Sequence, residues 1–128
     1  MSKESKFLSD LEFNKYSEYE NTPTTIMEWT KVSYDLALEK GWYSPPKSTV
    51  ETLALSICEL TEAIEEFRAE KPSYYEVNGK PEGLQVEVAD CLLRLFDMAG
   101  RHGWNLQTVL EKKHAYNKTR VNRHGKKL

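Results

Sequence analysis

The chain has no run of apolar residues near the ~18 needed to cross a bilayer, and its mean hydropathy of −0.67 points away from lipid. It has only 2 cysteines, Cys58 and Cys91, and they form no CxxC pair. Neither a disulfide framework nor a thiolate metal site is expected from them, and reduced thiols fit a cytoplasmic protein. The opening residues Met1-Ser2-Lys3-Glu4-Ser5-Lys6 lead into alternating charges rather than an apolar stretch, so no secretion signal is expected. With 6 glycines and 5 prolines in 128 residues, no low-complexity tract is present. No convincing strand alternation and no internal repeat is present.

What is there is charge, and it is unevenly placed. Residues 112–128 hold 7 Lys/Arg and no acid, which leaves 11 bases against 20 acids in residues 1–111. An acidic body with a basic tail suits a metal-and-phosphate site, and equally a nucleic-acid-binding tail on an ordinary domain. The length predicts one domain, with a core that a helical chain of this size can complete by oligomerising.

Residues 1–25 read as an arm, a short helix or irregular, and residues 26–128 as a helical domain. Four helices are predicted. The first spans about 26–40, opened by a capping box of Thr25 and Glu28 and stopped by Gly41. Trp42-Tyr43-Ser44-Pro45-Pro46-Lys47 is a linker that its prolines keep out of a helix. The second spans about 49–69, with Ser48 and Glu51 as another capping box. Its Val50, Leu53, Ile57, Leu60, Ile64 and Phe67 fall in one sector of about 100°, the width of a core-facing stripe. Residues 72–80 read as a loop turned at Asn78-Gly79, and Pro81 with Glu82 as the first turn of the third helix. Leu84, Val88, Leu92, Leu95, Phe96 and Ala99 form its apolar stripe, and Gly100 and Gly103 mark its end. The fourth helix starts after Asn105 as N-cap and runs into the basic tail. The expected fold is therefore all-α, a bundle of four helices.

Two pairs of acids stand out, Glu59-x-x-Glu62 on the second helix and Glu87-x-x-Asp90 on the third. Residues three apart are neighbours on a helix surface, so each pair points two carboxylates the same way. Each pair lies opposite its helix's apolar stripe, so antiparallel packing can bring all four to one point. Four adjacent carboxylates repel one another unless a cation joins them, and Mg²⁺ is the hard, oxygen-seeking ion such a set suits. None of the 3 histidines lies three or four residues from these acids, which counts against a ferritin-like di-iron site. An acidic face opposite an apolar stripe is also what any solvated surface helix presents.

At these residues the chain resembles the MazG-like family of all-α nucleoside triphosphate pyrophosphohydrolases. "SICELTEAIEEFR" (56–68) is similar to the family's first motif helix. "GKPEGLQVEVADCLLRLFDMAGRHGW" (79–104) is similar to its second, and "KKHAYNKTRVNRHGKKL" (112–128) to its closing basic segment. The resemblance implies a MazG fold completed as a homodimer or homotetramer, with the site walled partly by a neighbouring subunit. It also implies hydrolysis of the α–β phosphoanhydride bond of a (d)NTP to (d)NMP and pyrophosphate, a nucleotide-pool house-cleaning activity. Carried over by position, Glu59, Glu62, Glu87 and Asp90 would hold Mg²⁺, with Mn²⁺ as substitute, and orient the attacking water. Lys113, Asn117 and Arg120, on one face if the fourth helix reaches them, would contact the triphosphate.

Other residues invite weaker expectations. Trp29, Trp42, Tyr43 and Trp104 could stack a base, but large aromatics in a small helical protein more often pack in a core or interface. Arg94 lies on the acidic face and is expected to orient a carboxylate through a salt bridge, and His102 to end its helix. The alternative function is a non-enzymatic helical protein that binds nucleic acid through the basic tail, against which the acidic body counts. An inactive, nucleotide-binding relative is a third. Base and sugar preference are not encoded in any of these motifs.

Overall fold

The computed structural model describes residues 21–127, so of the expected N-terminal arm only residues 21–25 fall within it. Four α-helices carry the described residues: α1 (Ile26–Glu39), α2 (Thr49–Arg68), α3 (Leu84–His102) and α4 (Leu106–Thr119). A small antiparallel hairpin, β1 (Tyr75–Val77) and β2 (Lys80–Glu82), stands between α2 and α3. A 3₁₀ turn at Asn122–Gly125 follows α4. The all-α expectation holds apart from the hairpin, and none of these helices is long and apolar enough to cross a membrane.

The helix starts follow their caps. Thr25 accepts a hydrogen bond from the Glu28 amide at 3.1 Å, while the Glu28 carboxylate accepts from the Thr24 amide rather than closing a box on Thr25. Ser48 and Glu51 make the full reciprocal box at the head of α2. Asn105 caps α4 by accepting from the Thr108 amide at 3.0 Å. Arg120 is the C-cap of α4, with extended backbone, so the helix ends one residue before it.

The α2–α3 connection differs from expectation. Asn78 and Gly79 both have positive φ, the requirement of a tight two-residue hairpin turn, so the residues on either side pair as strands. Pro81 lies opposite Glu76 in β2 instead of opening the helix. Gly83, with φ of 113°, precedes α3, and Leu84 begins it. Three-residue strands are too short for alternation to reveal, and the Pro-Glu pair imitates a helix start.

α3 is the hub, with α2 and α1 each packed along its length. α2 and α3 run antiparallel: Thr49 at the start of α2 meets His102 at the end of α3, and Glu59 meets Arg94 midway. Their seam is made of small and polar groups. Thr52, Ser56, Glu59 and Ala63 of α2 are buried, as are Glu87, Cys91 and Met98 of α3. The apolar stripe of α2 is therefore not the core of this chain. Val50, Ile57, Ile64 and Phe67 are 75%, 65%, 57% and 71% exposed, and Leu53 and Leu60 also face outward. On α3, Val88 and Leu92 are exposed whereas Ala99 is fully buried. The helices turn their narrow, small-residue faces together, which allows close approach, and leave the bulky faces outside.

α1 meets α3 at a backbone-tight crossing. A Cβ on Gly100 would lie 2.7 Å from the Tyr34 Cβ and closer still to the Thr30 carbonyl oxygen. Nothing there is the far end of a flexible side chain, so α1 itself must shift to admit it. Gly100→Ala is expected to destabilise the fold by about 1–3 kcal/mol, despite alanine's better helix propensity, and a drop in thermal unfolding midpoint measures it.

Candidate metal centre

The seam between α2 and α3 brings carboxylates into contact. Glu59, Glu87 and Asp90 each present an oxygen such that the three lie within 4.8 Å of one another. Glu59 and Glu87 are buried, and Asp90 is half-buried. Glu62, one turn along α2 from Glu59, is exposed, yet close enough to both Glu59 and Glu87 to shift their protonation. The four acids singled out in the sequence thus meet, three in a tight cluster and the fourth at its rim.

Their protonation states are driven apart. Burial, then hydrogen bonds to Glu62 and Glu59, push the Glu87 carboxyl up to about 7. Carboxyls hydrogen-bond to one another only through a retained proton, and Glu87 is the group that keeps it. Burial also raises Glu59, but the Arg94 hydrogen bond and its neighbours outweigh this and hold it below the usual carboxylate range. Arg94 Nε donates to Glu59 Oε1 at 2.7 Å, the salt bridge expected of that residue. Burial and the Glu59 charge raise Asp90. Oxygen-only donors at this spacing suit a hard divalent cation, which would also offset the burial and the neighbouring charge that keep Glu87 protonated.

Beside the acids lies a cleft of about 830 Å³, within the range of small-molecule sites. Glu59, Asp90, Arg94 and Asp97 line one wall; Trp29, Ser33 and Leu36 of α1 line another. Trp42 and Lys47, from the linker, and the charged Asp35, Glu39 and Lys40 at the α1 end also line it. Trp29 packs on Phe96 with ring centroids 6.5 Å apart, so it serves both core and cleft. Trp42 and Trp104 are 56% and 43% exposed in this chain, so of the expected core or interface positions the core of this chain is not theirs. Lys80, on the hairpin, pairs with Glu82 at 2.7 Å. Glu82, and behind it Glu87 and Asp90, raise its pKa, which places a cation at the hairpin side of the cluster.

Lys113, Asn117 and Arg120 are not brought to the acids within this chain. None lines the cleft; Lys113 and Arg120 lie over the Tyr116 ring at 5.3 and 5.7 Å, and α4 packs only lightly against α1. Asp97 was legible as a cleft residue, being seven residues beyond Asp90 and so on the same helix face. Lys47, Lys80 and Ser33 were not, because linker and hairpin positions carry no periodic signal and serine is ambiguous on a helix. No family model, curated protein or solved structure matches the chain.

The raised Glu87 sets a pH dependence. In the folded state it holds its proton up to about 7, against a usual value of 4.5, so the metal-free fold loses stability as pH rises through that window. The lowered Glu59 acts in the opposite sense, but below the usual value. A metal-free thermal midpoint falling by about 3–6 °C between about pH 5 and pH 8 is expected. Millimolar Mg²⁺ should restore it at the upper end, and Glu87→Gln should flatten the slope and remove the Mg²⁺ response.

Proposed function

We propose that the chain is a Mg²⁺-dependent nucleoside triphosphate pyrophosphohydrolase of the MazG-like kind, a cytoplasmic house-cleaning enzyme that converts a (d)NTP to (d)NMP and pyrophosphate. One observation carries it: Glu59, Glu87 and Asp90 converge from two helices beside a cleft that Trp29 and Trp42 line together with Glu59, Asp90 and the cations Lys40, Lys47 and Arg94. A cluster this acidic next to a cleft of nucleotide size suits a ligand that arrives with metal and phosphate together.

Glu59, Glu87 and Asp90 would hold the Mg²⁺, with Mn²⁺ as substitute, which supplies positive charge against the phosphate oxygens when bound. The rest falls to the chain's own groups. Glu62, exposed at the rim, orients a water and takes its proton as the water oxygen bonds to the α-phosphorus. The bridging oxygen leaves with pyrophosphate. Arg94, Lys40 and Lys47 line the cleft and Lys80 stands at the hairpin side of the acids, and these cations offset charge on the triphosphate. Trp29 and Trp42 offer apolar faces to the base.

The same proposal includes a second copy. The exposed stripe Val50, Leu53, Ile57, Leu60, Ile64 and Phe67 is the face a homodimer or homotetramer would bury. Lys113, Asn117 and Arg120 then act on the triphosphate across the subunit boundary rather than within one chain. Light scattering is expected to give a dimer or tetramer, and Ile57→Asp with Ile64→Asp to reduce its mass. A wild-type monomer at micromolar concentration would sink this part.

The activity is read by incubating the protein with Mg²⁺ and a panel of nucleotides, including damaged ones. Monophosphate and pyrophosphate should appear together, chelation should abolish turnover, and Glu62→Gln should lower kcat by about 10²–10⁴-fold. Release of diphosphate and free phosphate instead, or turnover unchanged in Glu62→Gln, would overturn the assignment.

A further inference from the structure

Resting on the pyrophosphohydrolase reading, we propose that Asp97 selects the base, its free carboxylate oxygen accepting from an exocyclic amino group so that cytosine, adenine or guanine nucleotides are preferred over oxo-only counterparts.

Asp90, Arg94 and Asp97 follow one face of α3 along the cleft wall. Seven residues of helix set Asp97 roughly 10 Å beyond Asp90, a separation like the reach of a nucleoside from its α-phosphate to the far edge of its base. The acids and Asp97 thus stand at the two places where the phosphate and base ends of one molecule would lie. Between them the wall is Trp29 and Leu36 on one side and Trp42 on the other, flat or apolar surfaces that suit a ring.

Asp97 is held in place but only half used. The Tyr43 hydroxyl donates to its Oδ1 at 2.8 Å, and no other hydrogen bond to the carboxylate is made among the described residues. Burial raises its pKa, while the nearby charges of Lys47, Arg101 and Arg94 act against that without closing an ion pair. Tyr43 is itself fixed: its ring meets Tyr34 edge-on at 5.6 Å, and the Arg101 guanidinium lies 5.0 Å over its face. Arg101 also donates to the Lys47 carbonyl, tying the linker wall to α3. The carboxylate therefore sits on a fixed mount in the cleft wall, with Oδ2 left outside the Tyr43 hydrogen bond. A second polar group on the same cleft lacks a partner: Ser33 Oγ is the one buried side-chain polar atom among the described residues without a hydrogen bond.

A fixed carboxylate oxygen discriminates by sign. An amino group donates to it; a carbonyl oxygen at the same place brings two acceptors together and leaves both unpaired. A hydrogen bond to a charged acceptor corresponds to about 10–100-fold in preference.

The test uses substrate pairs that differ at the amino group, CTP against UTP, dCTP against dUTP and GTP against ITP, with Mg²⁺. Wild type should favour the amino-bearing member in kcat/KM by about 10–100-fold. Asp97→Asn, whose amide can donate to a carbonyl, should collapse or invert the ratio. Tyr43→Phe, which removes the mount but keeps the carboxylate, should shrink the ratio without inverting it. If Asp97 merely anchored the linker, both variants would shift all nucleotides alike. A second readout is metal-free binding of CMP and UMP, followed by quenching of tryptophan fluorescence, with the same order expected. Equal treatment of every pair by wild type, in turnover and in binding, overturns the inference and leaves the pyrophosphohydrolase reading standing. No turnover of any triphosphate overturns that reading, and base-indifferent or absent CMP binding then removes this one with it. Should Asp97→Asn fail to fold by circular dichroism, the wild-type and Tyr43→Phe ratios decide the matter.

Discussion

Like charge is gathered where a helical protein ordinarily gathers apolar side chains. The α2–α3 seam buries Glu59 and Glu87 together, and the arrangement is tolerable for two local reasons. Arg94 neutralises Glu59 through a 2.7 Å ion pair, and Glu87 keeps a proton at pH values where an ordinary glutamate has lost it. Removing one partner of such a buried pair leaves an uncompensated charge, which costs far more than the pair contributes. The rest of the fold follows from this choice. With carboxylates and small residues on the inner faces, the bulky faces of α2 and part of α3 have nowhere inside the chain to go.

That inversion explains why so little large apolar surface is sequestered. Among the described residues the buried apolar ones are Ala37, Ala63, Cys91, Met98 and Ala99, mostly small side chains that permit close helix contact. The close contact is what lets α3 present Asp90, Arg94 and Asp97 to the cleft while still touching α1 through Gly100. Proximity of the acids and incompleteness of the apolar core are therefore two sides of one packing arrangement.

Much of the architecture was legible. The capping residues Ser48 and Asn105 and the breakers around residues 41–48 set helix ends that the structure reproduces within a residue or two. The i, i+3 spacing of both acid pairs located the cluster, and Arg94 was recognisable as its salt-bridge partner. What failed was the rotation of α2. A helical wheel shows which face is apolar but not whether that face is covered by the same chain, and here Ile57 and Phe67 point away from α3. The hairpin was missed because Pro81 and Glu82 are as good at opening a helix as at closing a short edge strand. The placement of Lys113 and Asn117 could not be read either, since a basic helix face says nothing about where the helix docks.

The hairpin has a consequence for how this domain can change length. Its base is laced to the head of α3: the Gln85 amide donates to the Ser73 carbonyl at 2.9 Å and the Gln85 side chain to the Ser73 hydroxyl at 2.8 Å. Gly83 passes so close to Ser73 that a Cβ there would lie 2.6 Å from its carbonyl oxygen. Tyr75 reaches back to Glu66 on α2. The angular phase of α3 against α2 is thus set below the strands, at the clasp, and not at the Asn78-Gly79 tip. Extra residues at the tip leave the acids in phase, whereas a single residue added between Gly83 and Glu87 turns the helix by about 100° and scatters them. Sequence drift can lengthen one end of this connection freely, while the other end is locked to the chemistry.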